Sequence, residues 1–236
     1  LFESCRRMRV KCLRVFHSLL LMRVALGFAN TALQTSTKAW RRGTVRSLAM
    51  SASPDFSLIC NGKEMAVSVN SETLLKTFPR GPYTTARTHD INSVFEFDFH
   101  NSRIAESTKL MVEAGTLNAP KELSKLIQPE TLRDEYLDNV RKAVALYKES
   151  HPQTGEMKLT TLLAVDDAKD HQLYVHVQAL GDRPEKPVKI QIMGAPRSNA
   201  AAKDSAWISS RQGLWDAREE AVHEVVLCND EGTLFE

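Results

Sequence analysis

Lys203 stands in the run Gly194-Ala195-Pro196-Arg197-Ser198-Asn199-Ala200-Ala201-Ala202-Lys203-Asp204-Ser205-Ala206-Trp207. Small residues precede it, and a tryptophan follows one helical turn later. An amine kept among small and aromatic side chains can lose its hydration. Desolvation favours the neutral, nucleophilic form, which condenses with aldehydes to a Schiff base. The alternative is a solvated helix lysine, the commoner state of this residue type. Other nucleophile and phosphate signatures are missing: the sequence has no G-x-x-x-x-G-K, no G-x-G-x-x-G and no G-x-S-x-G. The seven histidines lack H-x-x-x-H spacing and the four cysteines form no C-x-x-C pair, so a zinc site has no support. Cys60 and Cys228 read as separate buried thiols of a reducing compartment.

The elements that must position Lys203 are mixed α and β. Phe56–Cys60 is a short apolar strand turned at Asn61-Gly62, and Met65–Val69 is expected to return beside it as a hairpin. After the turn cluster Pro79-Arg80-Gly81-Pro82, Tyr83–Thr88 and Val94–Phe97 read as a second hairpin. Phe99–Leu117 and Lys121–Ile127 are helical in composition. Pro129–Glu149 is the clearest helix, with proline in the first turn and Leu132, Tyr136, Val140, Val144 and Tyr147 at three-to-four spacing. Lys158–Val165, Leu173–Leu180 and Val188–Met193 read as strands of a sheet built mostly from sequence neighbours. Arg183–Pro187 is a polar linker and the expected domain boundary. Beyond it, Ala200–Ala221 is expected to be helical, and Glu224–Leu227 and Thr233–Phe235 form a hairpin around Asn229–Gly232.

Charge separates a leader from a body. Residues 1–50 hold ten Lys/Arg and one acid, Glu3; the other 186 of the 236 residues hold 21 bases and 28 acids. An acidic body is a poor candidate for binding nucleic acid unaided. The longest apolar stretch of the leader is broken by arginines, so it is not expected to span a membrane. A basic, hydroxyl-rich, acid-poor start is the organelle transit pattern. Residues 1–55 are thus expected to be a plastid or mitochondrial address, disordered or one isolated helix. If translation starts at Met50, the protein is expected in the cytoplasm. The body divides into residues 56–182, a small N-terminal domain, and residues 183–236, the start of a second domain carrying Lys203.

Two blocks carry a family resemblance. Gly81-Pro82-Tyr83-Thr84-Thr85-Ala86-Arg87-Thr88, followed by Phe97-Asp98-Phe99-His100-Asn101-Ser102-Arg103-Ile104, resembles the class IV aminotransferases. In that family an aromatic-Thr/Glu-x-x-Arg strand precedes a His-x-x-Arg-Leu helix start. The block from Lys203 through His223-Glu224-Val225-Val226-Leu227 to Glu236 is similar to the family's cofactor-lysine region, with 33 residues between lysine and glutamate. The resemblance implies a mixed α+β fold of the D-amino-acid aminotransferase type and the cofactor pyridoxal 5'-phosphate. Lys203 would hold the cofactor and shuttle the α-proton, Arg103 would grip its phosphate, and Glu236 would keep the pyridine nitrogen protonated. Tyr83 would line the substrate side. Arg87 could meet a substrate carboxylate or staple its hairpin, and the staple is the favoured role. Trp207 and Trp215 read as packing residues.

The implied activity is transfer of an amino group between an amino acid and a 2-oxo acid. The Tyr-Thr-Thr-Ala-Arg wording looks most like the aminodeoxychorismate lyase branch, so a lyase is one alternative, and a catalytically silent interaction module is another. The chain departs from the family in lacking Asp-Arg and Gly-Asp-Gly turns before Tyr83, and in having Asp204-Ser205-Ala206-Trp207 after the lysine. Relatives continue beyond the position of Glu236. The chain is therefore expected to be a fragment that binds the cofactor poorly alone, and a homodimer when full length.

Overall fold

The computed structural model describes residues 55–66, 69–117, 123–165, 171–184 and 186–235, all within one compact unit, Ala52–Glu236. The expectations for the leader up to residue 54 lie outside the described residues, as does Glu236. In chain order the elements are β1 (Phe56–Cys60), β2 (Lys63–Glu64), α1 (Ser71–Thr77), β3 (Tyr83–His89), β4 (Ser93–Val94), α2 (Phe97–Glu113), α3 (Leu123–Leu126) and α4 (Pro129–Ser150). There follow β5 (Met157–Val165), β6 (His171–Ala179), β7 (Ile190–Ile192), α5 (Ala206–Ser210), α6 (Gln212–Ala217), β8 (Glu224–Cys228) and β9 (Leu234–Phe235). Among the described residues no helix is long and apolar enough to cross a membrane.

A six-stranded sheet runs in the order β2-β1-β6-β5-β3-β4 with every pairing antiparallel. The long hairpin β5-β6 is its centre. Strands β1 and β3, distant in sequence, flank that hairpin, so the sheet is less local than its spacing suggests. Strand alternation sends one side chain in two to each face. Leu159, Leu163, Val175 and Val177 meet Ile104 of α2 and Tyr136 and Val140 of α4 in one core. Leu58, Leu162 and Tyr174 meet Leu74 and Leu75 of α1 in a second. The stripe predicted for α4 is the one buried: Leu132, Tyr136, Val140 and Tyr147. The Thr161 hydroxyl donates to the buried Tyr136 oxygen at 3.0 Å. Burial pushes the Tyr136 phenol up to about 12 against that bond.

Several expectations need correction. Val94–Phe97 is not a strand: β4 ends at Val94 and α2 begins at Phe97, with Glu96 in a left-handed conformation (φ 53°) at the junction. Among the described residues the return strand after Asn61-Gly62 is Lys63–Glu64, and residues 67 and 68 of the expected Met65–Val69 strand lie outside them. Helix α1 is absent from the sequence reading because Ser71–Thr77 carries only two adjacent apolar residues, Leu74 and Leu75. Its Asn70 cap accepts from the Thr73 amide at 2.8 Å. The third predicted strand belongs to another sheet, β7-β8-β9, where β7 pairs parallel with β8 and β8 antiparallel with β9. The stretch from Ala200 to Ser205 is not helical; helix appears only in α5 and α6.

Gly81 carries a backbone constraint. It passes so close to β5 that a Cβ there would lie 1.9 Å from the Leu163 carbonyl oxygen. Gly81→Ala is therefore expected to cost on the order of 3 kcal/mol, read as a lowered urea midpoint. A second expectation concerns His176, fully buried in β6, with Nε2 2.7 Å from the Val69 carbonyl. Burial holds its imidazole down to about 4, and the nearby Lys158 charge adds to this against the Val69 bond. The unfolded chain then takes up this proton first as pH falls. Stability should drop between the ordinary value of about 6.5 and about 4, by at most ~3 kcal/mol. His176→Gln should flatten that part of a stability-pH curve measured by urea titration.

Candidate functional site

Residues 203 and 204 lie beside the start of β3, and Ser205 already turns into α5. Asp204 and Pro82 form an isolated antiparallel bridge. The Tyr83 amide donates to the Lys203 carbonyl at 2.8 Å, and the Ser205 amide donates to the Gly81 carbonyl at 3.0 Å. From the helix side, the Lys203 amide donates to Ser107 Oγ of α2 at 3.1 Å. Arg80 clamps Asp204, its Nε 3.0 Å from Oδ1 and its Nη2 on Oδ2. The alanine run explains why helix propensity misleads here. Asn199 adopts a left-handed conformation (φ 51°) and Ala202 is fully buried in the first core, so tertiary packing overrides propensity.

The Lys203 side chain is half-buried and lines a cavity of about 190 Å³ with Tyr83, Arg197, Trp207, Arg211 and Trp215. Arg197 Nε is buried there without a hydrogen-bond partner, while its Nη2 donates to the Ala200 carbonyl at 2.9 Å. Its guanidinium lies 5.3 Å from the Trp207 ring centre. Tyr83, Arg211 and Trp215 are a shared wall: they also line a second cavity of about 470 Å³ between the sheet and α1. Lys158 and Thr160 of β5 and Glu72 of α1 line that second space. Burial lowers the Lys158 ammonium from its ordinary range. The Lys76 ammonium, hydrogen-bonded and paired with Glu72, holds that carboxyl below the usual carboxylate range.

The remaining sequence candidates fall in different places. Arg103 is half-buried on α2, one turn before Ser107 and so on the same face of the helix. Its guanidinium lies 5.3 Å from the Phe99 ring centre, and it is not among the residues lining the Lys203 cavity. Beside it, His100 Nδ1 is 2.8 Å from Thr84 Oγ1. Burial, and then the Arg103 charge, lower the His100 imidazole against the attraction of Glu96. Arg87 lies over Phe95 at 5.3 Å across the β3-β4 hairpin, the geometry of a staple, and lines neither cavity. Trp207 and Trp215, read from the sequence as packing residues, both line the Lys203 cavity.

Solved structures share this architecture. A fold IV transaminase from Curtobacterium pusillum superposes with a TM-score of 0.54 at 16% identity, covering 77% of this chain and 66% of that one. A hypothetical aminotransferase from Mycobacterium tuberculosis, in its PLP-bound form, gives 0.54 at 15% identity, covering 77% and 65%. The chain has the fold of the fold IV transaminases. It spans just under two thirds of the length of these structures. No protein-family model matches the sequence, and no curated protein matches it.

Of the residues the sequence singles out, Lys203 and Tyr83 line one cavity; Arg197 and Arg211 beside them, Lys158 in the neighbouring cavity and Ser107 behind Lys203 were not among its candidates. Two signals were available. Ser107 follows Arg103 at i+4, and Lys158 is the one charged residue inside the strand Met157–Val165. Ser107→Ala would leave the Lys203 amide unpaired, at a cost of about 1–2 kcal/mol. Hydrogen exchange of that amide is expected to quicken roughly tenfold, by the same penalty, while α4 amides keep their protection.

Proposed function

We propose that the chain is a pyridoxal-phosphate-dependent aminotransferase of the class IV type, moving an amino group between an amino acid and a 2-oxo acid with Lys203 as its catalytic amine. The observation that carries this reading is the placement of Lys203. Its backbone is fixed to Tyr83 and to Ser107, and its side chain enters a cavity walled by aromatic and cationic groups. The residues present fit an anionic aldehyde. Arg197 Nε is a buried donor without a partner in the same cavity, and orphaned guanidinium donors suit an oxyanion.

In this reading Lys203 and Arg197 hold the cofactor from this cavity. The resemblance adds Arg103 at the phosphate and Glu236 at the ring nitrogen. Pyridoxal phosphate, when bound, supplies an electron-withdrawing ring that stabilises negative charge at the substrate α-carbon. The chain's own groups do the rest. The Lys203 amine takes the α-proton and returns it, Tyr83 orients the substrate from the β3 side, and Trp207 and Trp215 exclude water from the reacting face.

The experiment is a spectral titration of the full chain with pyridoxal phosphate. The wild type is expected to develop absorption at roughly 400–430 nm, the range of a conjugated lysine-linked pyridoxal. Lys203→Ala should not develop it and should lose amino transfer by at least a factor of about 1000, as expected when an essential general base is removed. A wild type with no such absorption, or a Lys203→Ala protein that keeps it, would overturn the assignment.

A further inference from the structure

The two places where the sequence departs from the class IV pattern, the turn before Tyr83 and the residues after Lys203, meet each other in the fold. The first supplies Arg80 and the second Asp204. Arg80 Nε lies 3.0 Å from Oδ1 and 3.1 Å from Oδ2 of Asp204, and its Nη2 donates to Oδ2. One planar fork thus takes both carboxylate oxygens. Among the described residues neither side chain forms an ion pair with any other. The Asp204 side chain is only 18% exposed, so its charge is largely out of water and needs this partner.

The pair decides which side chain enters the cavity. Lys203 lines the small cavity with Tyr83 and Arg197, whereas its neighbour Asp204 meets Arg80 and lines neither cavity. The contact that sets this alternation is short: the isolated Pro82–Asp204 bridge and two backbone hydrogen bonds. A pairing of that length fixes its own register weakly, and a slip of one residue exchanges the faces of adjacent side chains. Ser107 resists a slip through the Lys203 amide alone. The cavity itself favours the exchange. Arg197 Nε is buried in it without a partner, and a carboxylate is the complementary group. A slipped Asp204 would satisfy Arg197 from within the chain and turn the Lys203 amine out to water.

We propose that Arg80 is a positioning residue for Lys203: it holds the Asp204 carboxylate outside the small cavity, so that the chain's own acid does not occupy the place beside Arg197 and the amine stays directed inward. Arg80 lines neither cavity and acts through Asp204. The inference rests on the Lys203 reading for its chemical consequence, while the register itself is readable in the chain without cofactor.

The test is trace acetylation of the full chain with acetic anhydride, without cofactor, each lysine being counted by peptide mass spectrometry against the exposed Lys63. Arg80→Gln is expected to raise Lys203 labelling roughly fivefold as the outward-facing state becomes populated. Asp204→Asn breaks the same ion pair but removes the competing carboxylate. Lys203 labelling should then stay within about twofold of the wild type, and Arg80→Gln/Asp204→Asn should match Asp204→Asn. A merely structural clamp would loosen the segment equally in both single variants. Arg80→Lys keeps the charge without the fork and serves should Arg80→Gln fail to fold; a rise of about threefold is expected, cancelled by adding Asp204→Asn. Wild-type labelling in both Arg80 variants, or equal rises in Arg80→Gln and Asp204→Asn, would overturn the proposal. Titration with pyridoxal phosphate separates the two readings. Labelling that follows this pattern in a chain without pyridoxal absorption sinks the transaminase and spares the role of Arg80, and absorption with labelling indifferent to Arg80 does the reverse.

Discussion

Everything at the candidate site depends on the docking of residues 203–205 against residues 80–83. It is a short antiparallel contact, two backbone hydrogen bonds long, reinforced by the Arg80–Asp204 clamp and by Ser107 from the helix behind. The contact exists because Gly81 has no side chain. Any Cβ would collide with the Leu163 carbonyl and push the turn off the sheet. Thus a steric condition at one glycine, on the central hairpin's edge, fixes where an amine far later in the chain can stand. The clamp itself is half-exposed at Arg80, so its main effect is geometric: a bidentate fork orients Asp204 and hence the peptide of Lys203.

The six-stranded sheet serves two purposes with its two faces. The face toward α2 and α4 is apolar along β5 and β6 and supplies most of the core. The opposite face begins apolar, at Leu162 and Tyr174, and turns polar toward Thr160, His176, Lys158 and Gln178. Register places these side chains side by side, so the polar end of one strand becomes the polar floor of a cavity. Ile208 of α5 and Gln212 and Trp215 of α6 line its other side, together with Arg211 and Arg218 at the ends of α6. The result is a space with several buried donors, few acceptors and a positive bias, next to a smaller one containing Lys203.

Reading the sequence worked where a segment's own periodicity decided its structure. The α4 stripe, the β5 and β6 strands and the β8-β9 hairpin follow from residue order, because burial on one face is encoded at fixed spacing. It failed where a neighbour decided. Ala200–Ala202 has the composition of a helix, yet Ala202 is pulled into the core and Asn199 turns left-handed. Phe97 looks like the end of a strand, yet its ring packs tilted against Tyr136, centroids 4.9 Å apart, and the residue starts a helix instead. Glu236, the expected partner of the ring nitrogen, lies outside the described residues.

The sequence by itself determined the long helix α4, the strands β5, β6 and β8, the lysine worth examining and the aromatic strand that meets it, because these are properties of residue type and spacing along one chain. Only the tertiary structure decided that Tyr83 and Lys203 touch through their backbones, that Arg87 lies over the Phe95 ring, and that Lys158, Arg211 and Arg218 line one space. Those are relations between segments far apart in sequence. They are fixed by strand register and by how closely a glycine lets two backbones approach, and neither quantity is written in local composition.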